Sequence, residues 1–225
     1  MRVARGFDVL REVAAAPLRG RPSAVRERLR QQALDLVRRE HLIDAAYSYS
    51  IVALGAPAAE SLAAGGERLF APWLLPTSGE LTAIACGACT LGPDLERRVS
   101  DLFAERRPSL ATALDELGNA LLFAVSRRAQ DRMLADANRR GLSMAGELRP
   151  GDPGLALDAQ TAVLRLAQAD AIGISLGGGL MHPLKSCSMV LGVGIDLPAV
   201  EWSRCDHCPT REKCRMLERA GAAAH

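Results

Sequence analysis

The sequence predicts an α+β fold, and three observations carry that prediction. Runs of β-type composition occur at residues 45–54, 80–91 and 188–195. Apolar residues recur at helical spacing between them. The two kinds of segment are interspersed without the regular strand–helix–strand rhythm of a doubly wound parallel sheet.

The elements follow in chain order. Ser23 can cap a helix over 23–39, in which Val25, Leu29, Ala33, Leu36 and Val37 form one apolar stripe. AAYSYSIVAL at 45–54 reads as a strand with partial alternation, and an Ala/Gly/Pro-rich stretch from Gly55 to about Gly79, holding Trp73, reads as a surface excursion. ELTAIACGACTL at 80–91 reads as a strand running into a turn. Gly92, Pro93 at the first helical position, and Asp94 and Glu96 near the positive end of the helix dipole then open a helix with Leu95, Val99, Leu102 and Phe103 on one face. After Arg107-Pro108-Ser109, a long helix is marked by Leu110, Leu114, Leu117, Leu121 and Ala124 and ends near Gly141. Gly118 in its middle points to close packing, since glycine costs about 1 kcal/mol there against alanine. RPGDPG at 149–154 is turn chemistry. A helix is expected over 157–169, a short glycine-broken strand over 170–180, and a strand over 188–195. The chain divides into a helical N-terminal segment (1–40), an α+β domain (41–204) and a cysteine-bearing tail (205–225).

Composition excludes several function classes. The 225 residues carry a net charge of only +2 and 4% aromatics, so neither the charge footprint nor the stacking surface of a nucleic-acid binder is present. No apolar run reaches the roughly 18 residues that a membrane span needs. The N-terminus MRVARGFDVLREVAAAP interleaves charges and lacks the apolar core of a signal peptide. These readings place the chain in the cytoplasm, without a membrane partner, where thiols stay reduced. There is no Ser-His-Asp set, phosphate loop or H-E-x-x-H to suggest a hydrolase or kinase.

Half of the six cysteines fall in CDHCPTREKC, where Cys205, Cys208 and Cys214 are spaced C-x2-C-x5-C on a charged segment. Two thiolates so spaced reach one metal from a single turn, and the third follows after a short excursion. Cys187, His207 and His182 are candidates for a fourth ligand, and Cys187 is the preferred soft one. Spacing alone does not choose between zinc and an iron–sulfur cluster. Cys86 and Cys89 make a second C-x2-C, read as small core residues in an Ala-rich strand, with a redox pair before the helix start as the alternative.

The segment PGDPGLALDAQTAVLRLAQADAIGISLGGGLMHPLKSCSMVLGVG, from Pro150 to Gly194, carries a family resemblance. A P-G turn (Pro150-Gly151) is followed by a helix with L-x-x-Q (Leu157, Gln160) and then by Ile172-Gly173-Ile174-Ser175-Leu176. Met181 with Pro183, Lys185-Ser186, Ser188, Gly192-Val193-Gly194 and the cysteine cluster complete the pattern. In this it resembles the activation domain of cobalamin-dependent methionine synthase, and more closely the small stand-alone proteins related to that domain. The resemblance covers roughly residues 40–214, most strongly in the last third.

The resemblance implies a curved, mainly antiparallel sheet with flanking helices. It also implies an S-adenosylmethionine groove around Pro150, Gly151, Asp152, Gly177, Gly178 and Gly179, with Lys185 and Ser186 near a ligand carboxylate or a corrin propionate. The implied function is reductive reactivation, in which a partner's cobalamin is reduced by an electron donor and re-methylated by S-adenosylmethionine. The partner is a corrinoid-binding protein such as a methionine synthase core, because this chain lacks the D-x-H-x-x-G pattern needed to hold cobalamin itself. The sequence departs from the family where Asp152 replaces a tyrosine, Glu147 stands where an arginine is expected, and Gly177 replaces a threonine. A tyrosine ring and an arginine fork both suit a sulfonium-bearing amino acid. The alternative is therefore an iron–sulfur or zinc accessory module on the same fold, without S-adenosylmethionine chemistry.

Overall fold

The computed structural model describes residues 1–16 and 23–198. Its centre is a five-stranded sheet of β1 (Arg2–Arg5), β2 (Ala46–Ala53), β5 (Glu80–Thr90), β9 (Ser186–Ile195) and β6 (Ser143–Leu148), in that spatial order, with every neighbouring pair antiparallel. Two hairpins stand apart from it, β3 (Ser61–Ala64) with β4 (Glu67–Phe70), and β7 (Ser175–Gly177) with β8 (Leu180–His182). The helices are α1 (Leu10–Ala15), α2 (Ala24–Glu40), α3 (Asp94–Ala104), α4 (Pro108–Asn138) and α5 (Gln160–Ala167). This is the α+β, mainly antiparallel architecture expected from the sequence.

The helices form where local signals put them. The Ser23 side chain accepts the Arg26 N–H at the start of α2, and α2 buries Ala33, Leu34, Leu36 and Val37. Pro93 sits at the cap of α3, one residue earlier than expected, while Pro108 does open α4. A Cβ on Gly118 would stand 2.9 Å from Leu95 Cδ2, so the glycine lets α3 and α4 close on each other.

β5 and β9 are buried on both faces along most of their lengths. Side chains alternate across a strand, so each strand feeds two cores. Ala85, Cys89, Cys187, Met189 and Leu191 face the core built with α2, α3 and α4. Cys86, Ala88 and Val190 face a second core, built with α5 and the β3–β4 hairpin. Gly194 marks a close approach of backbones, since a Cβ there would lie 1.9 Å from the Glu80 carbonyl oxygen.

Four regions differ from the expectations. The first forty residues, expected to be helical, begin with β1, which extends the sheet by pairing Arg2 with Tyr49 and Arg5 with Ala46. The stretch 55–79 is more than a surface excursion, because its hairpin buries Leu62 and Leu69. β6 had no sequence signal: it is short, and its pairing with β9 shifts between Ala145 and Leu148, where Gly146 takes a positive φ. Residues 170–180 do not form one strand. A 3-10 turn at Ala169–Ile172 closes at Gly173, and a tight hairpin follows with Gly178 (φ 58) and Gly179 (φ 80) at its turn. Two successive positive-φ residues suit the right-handed twist of a two-residue hairpin, and glycine adopts them without strain. Among the described residues, no helix is long and apolar enough to cross a membrane.

Candidate functional site

The turn after β6 is held by its own backbone. The Asp152 carboxylate accepts the Arg149 N–H at 2.8 Å, and the Asp152 N–H donates to the Arg149 carbonyl at 2.8 Å. The Gly151 N–H donates to Leu155 and the Leu155 N–H to Asp152, which closes the loop. Asp152 thus performs the local bonding that makes aspartate a turn residue. Gly154 lies against Trp73, whose ring would meet a Cβ there at 2.7 Å. On the outer side, exposed Leu157 approaches Gly151.

Gln160 connects the start of α5 to the glycine hairpin. It is the first residue of α5 and only 7% exposed. Its amide donates to Ser188 Oγ on β9 at 2.7 Å and contacts Met181 Sδ on β8 at 3.5 Å. The start of α5, the β7–β8 hairpin and the central sheet are therefore fastened through one side chain. Gly178 and Gly179 are exposed, with nothing within 4 Å of where a Cβ would stand. Leu176 and Leu180 beside them are exposed apolar residues.

Lys185 and Ser186, expected near a ligand, are engaged by the protein itself. Lys185 Nζ lies 2.7 Å from Asp115 Oδ1 and donates to Asn119 Oδ1 at 2.7 Å, pinning the start of β9 to α4. Glu96 accepts the backbone N–H groups of Leu184 and Lys185. Ser186 Oγ is buried and bonds Thr90 Oγ1 at 2.9 Å across the β5–β9 pair. His182 is exposed at the end of β8, opposite Ser175 in the hairpin register, with its ring near Gly177.

The cysteines rearrange the expected picture. Cys86 and Cys89 lie three apart in one strand, so they point to opposite faces and into different cores. They share no site, which removes the redox-pair alternative. Cys89 instead stands directly opposite Cys187 in the β5–β9 register, and its thiol hydrogen-bonds to Cys187. Around them, Arg149 Nε donates to Glu147 at 2.9 Å and Arg149 Nη2 to Ser126 Oγ at 3.0 Å. The Cys89 hydrogen bond, the Arg149 charge and the Ser126 hydroxyl hold Cys187 below the usual thiol range, against the opposing effect of burial. Cys89, the donor of that bond and buried, is raised well above it. Burial works against the Arg149 charge, but Cys187, Glu147 and Cys89 outweigh it and raise its pKa. Cys86, with burial alone acting, is pushed up to about 12.

Cys187, expected as the fourth ligand of a tail cluster, is thus a sheet residue engaged with Cys89. Cys205, Cys208 and Cys214 lie outside the described residues. Among the described residues no group of three or more His, Cys, Asp or Glu could hold a metal ion. A groove of about 620 Å³, not anticipated from the sequence, lies at the opposite end of β5, between Leu54–Ala58 and Gly79–Thr82. Its lining exposes polar and apolar surface in about equal measure, and none of the expected ligand residues lines it.

Comparison with solved structures decides the architecture. The chain superposes on the crystal structure of the MetH reactivation domain bound to AdoHcy with a TM-score of 0.64, covering 97% of this chain and 86% of that one at 13% identity. The fold is that of the MetH reactivation domain. No protein-family model matches the sequence, and no curated protein sequence matches it. Within this reactivation-domain fold, the pairing of Cys89, Cys187 and Arg149 had escaped the sequence reading. Alternation would have separated Cys86 from Cys89, but no local signal says which strand faces which.

Proposed function

We propose that this chain is a reactivation module for a corrinoid-dependent methyltransferase. It binds S-adenosylmethionine between the turn at Pro150, Gly151 and Asp152 and the turn at Gly177, Gly178 and Gly179, and offers the methyl group to cobalamin held by a partner of the methionine synthase type. The observation that carries this reading is the end-to-end likeness to a domain solved with AdoHcy. Gln160 supports the hairpin half of the location, because it ties the β7–β8 hairpin and the start of α5 to β9. The open backbone at Gly178 and Gly179, with Leu176 and Leu180 exposed beside them, suits a ligand with an apolar adenosyl body.

The ligand supplies the methyl group, and the corrinoid must first be reduced by an electron donor. The residues of this chain bind and orient the ligand. Arg149 is turned inward to Glu147 and Ser126, so ligand recognition rests on turn backbone and apolar contact.

Isothermal titration of the full chain with S-adenosylmethionine and S-adenosylhomocysteine tests the reading, with adenosine and methionine as fragments. Saturable one-to-one binding of both adenosyl ligands, stronger than either fragment, is expected. Absence of binding up to about 1 mM, an affinity of only about 4 kcal/mol, overturns it. Reductive methylation of cob(II)alamin in a partner lacking its own activation domain, with one electron from a supplied reductant and the methyl group from S-adenosylmethionine, is the functional assay.

A further inference from the structure

Cys89 and Cys187 make up a site that the ligand reading does not use and on which it does not depend. They are direct partners in an antiparallel ladder, so both side chains project to the same face. Directly opposed residues have Cα atoms about 4.5–5.5 Å apart, within the span of about 4.4–6.8 Å that a disulfide bridges. Both are free thiols. They differ in surroundings: Cys187 is 8% exposed, and Cys89 is fully buried. Arg149 and Glu147 form a rim beside the pair, with side chains 21% and 26% exposed, and Ser126 completes it through its bond to Arg149.

We propose that Cys89 and Cys187 are a hydroperoxide-reactive dithiol, in which Cys187 is the attacking sulfur and Cys89 the sulfur that closes a disulfide across β5 and β9. In the first step the Cys187 thiolate attacks the terminal oxygen of a small hydroperoxide. The S–O bond forms as the O–O bond breaks, the sulfur is oxidised to a sulfenic acid, and the peroxide is reduced to hydroxide or alkoxide. The Arg149 guanidinium, whose charge acts on Cys187 and which is held by Glu147 and Ser126, can stabilise the negative charge on the departing oxygen. In the second step the Cys89 sulfur attacks Cys187. The S–S bond forms, the S–O bond breaks, and the hydroxyl leaves with the Cys89 proton as water. A dithiol reductant of the thioredoxin class restores both thiols by exchange. The product staples the two central strands.

Cys86 provides an internal control. It lies on the same strand as Cys89, is fully buried, and has no cationic neighbour acting on it. The full chain is reduced, freed of reductant, exposed to limiting hydrogen peroxide, unfolded and alkylated, and each cysteine is followed by mass spectrometry. Expected is concurrent loss of free Cys187 and Cys89 with a linked peptide containing both, at least about tenfold faster than loss of Cys86. In Cys89→Ala, Cys187 stops at the sulfenic acid and is captured by a dimedone-type carbon nucleophile. Oxidation of Cys187 no faster than Cys86 overturns the proposal, as does a Cys187 disulfide to Cys205, Cys208 or Cys214 in place of Cys89. The wild-type competition is decisive even if Cys89→Ala does not fold.

Discussion

Replacing Gln160 with methionine tests how the candidate ligand turns are held together. Methionine keeps most of the volume and flexibility of the side chain but removes the amide. Two consequences follow from the geometry. The 2.7 Å bond to Ser188 is lost, a net contribution of about 1 kcal/mol. Ser188, itself only 2% exposed, is left without that donor in a place water hardly reaches, which adds about 1–2 kcal/mol. The expected destabilisation is about 2–3 kcal/mol. For a chain of this size that lowers Tm by about 4–12 °C. Ser188→Ala in the Gln160→Met background removes both partners, so the double variant should be less destabilised than the sum of the singles by about 1 kcal/mol. Urea denaturation of the four proteins measures this directly. Because Gln160 also holds the β7–β8 hairpin through Met181, S-adenosylmethionine affinity should fall in the single variant even below its melting range. Additive effects within about 0.3 kcal/mol, or a Gln160→Met protein as stable as wild type, would refute the reasoning.

Three further outcomes are expected. Gly194→Ala forces a Cβ onto the Glu80 carbonyl and should cost about 2–4 kcal/mol by overpacking and loss of the ladder end, whereas Gly178→Ala, in open space at φ 58, should cost only about 1–2 kcal/mol; thermal melts showing the reverse order would contradict the fold reading. Lys185→Met breaks the contacts with Asp115 and Asn119 and should cost about 1 kcal/mol while leaving S-adenosylmethionine affinity unchanged, so a large affinity loss at unaltered stability would return Lys185 to the ligand site. The rate of Cys187 oxidation should rise with pH and level off below the ordinary thiol range, because the Cys89 bond, Arg149 and Ser126 lower its pKa against burial and Glu147 and only the thiolate attacks; Cys86, at about 12, should stay unreactive to pH 9 in site-resolved mass spectrometry.

The sequence by itself determined the α+β class, the spans of α2, α3 and α4, and the strands β2, β5 and β9. Those signals are local: a serine cap, prolines at helix starts, and apolar residues spaced for one face. It also pointed to the turns at 150–154 and 177–179, where glycine and proline declare themselves. Only the tertiary structure decided what the reactive side chains do. Lys185 looked free until α4 brought Asp115 and Asn119 to it. Cys86 and Cys89 are core residues as read, but strand alternation sends them into separate cores, which removes the alternative of a redox pair. Cys187 was set against Cys89 by the β5–β9 register, and the Arg149 charge acts on both only because β6 pairs with β9. Register between strands far apart in the chain is chosen by burial summed over the whole sheet, and no short stretch of sequence carries that sum.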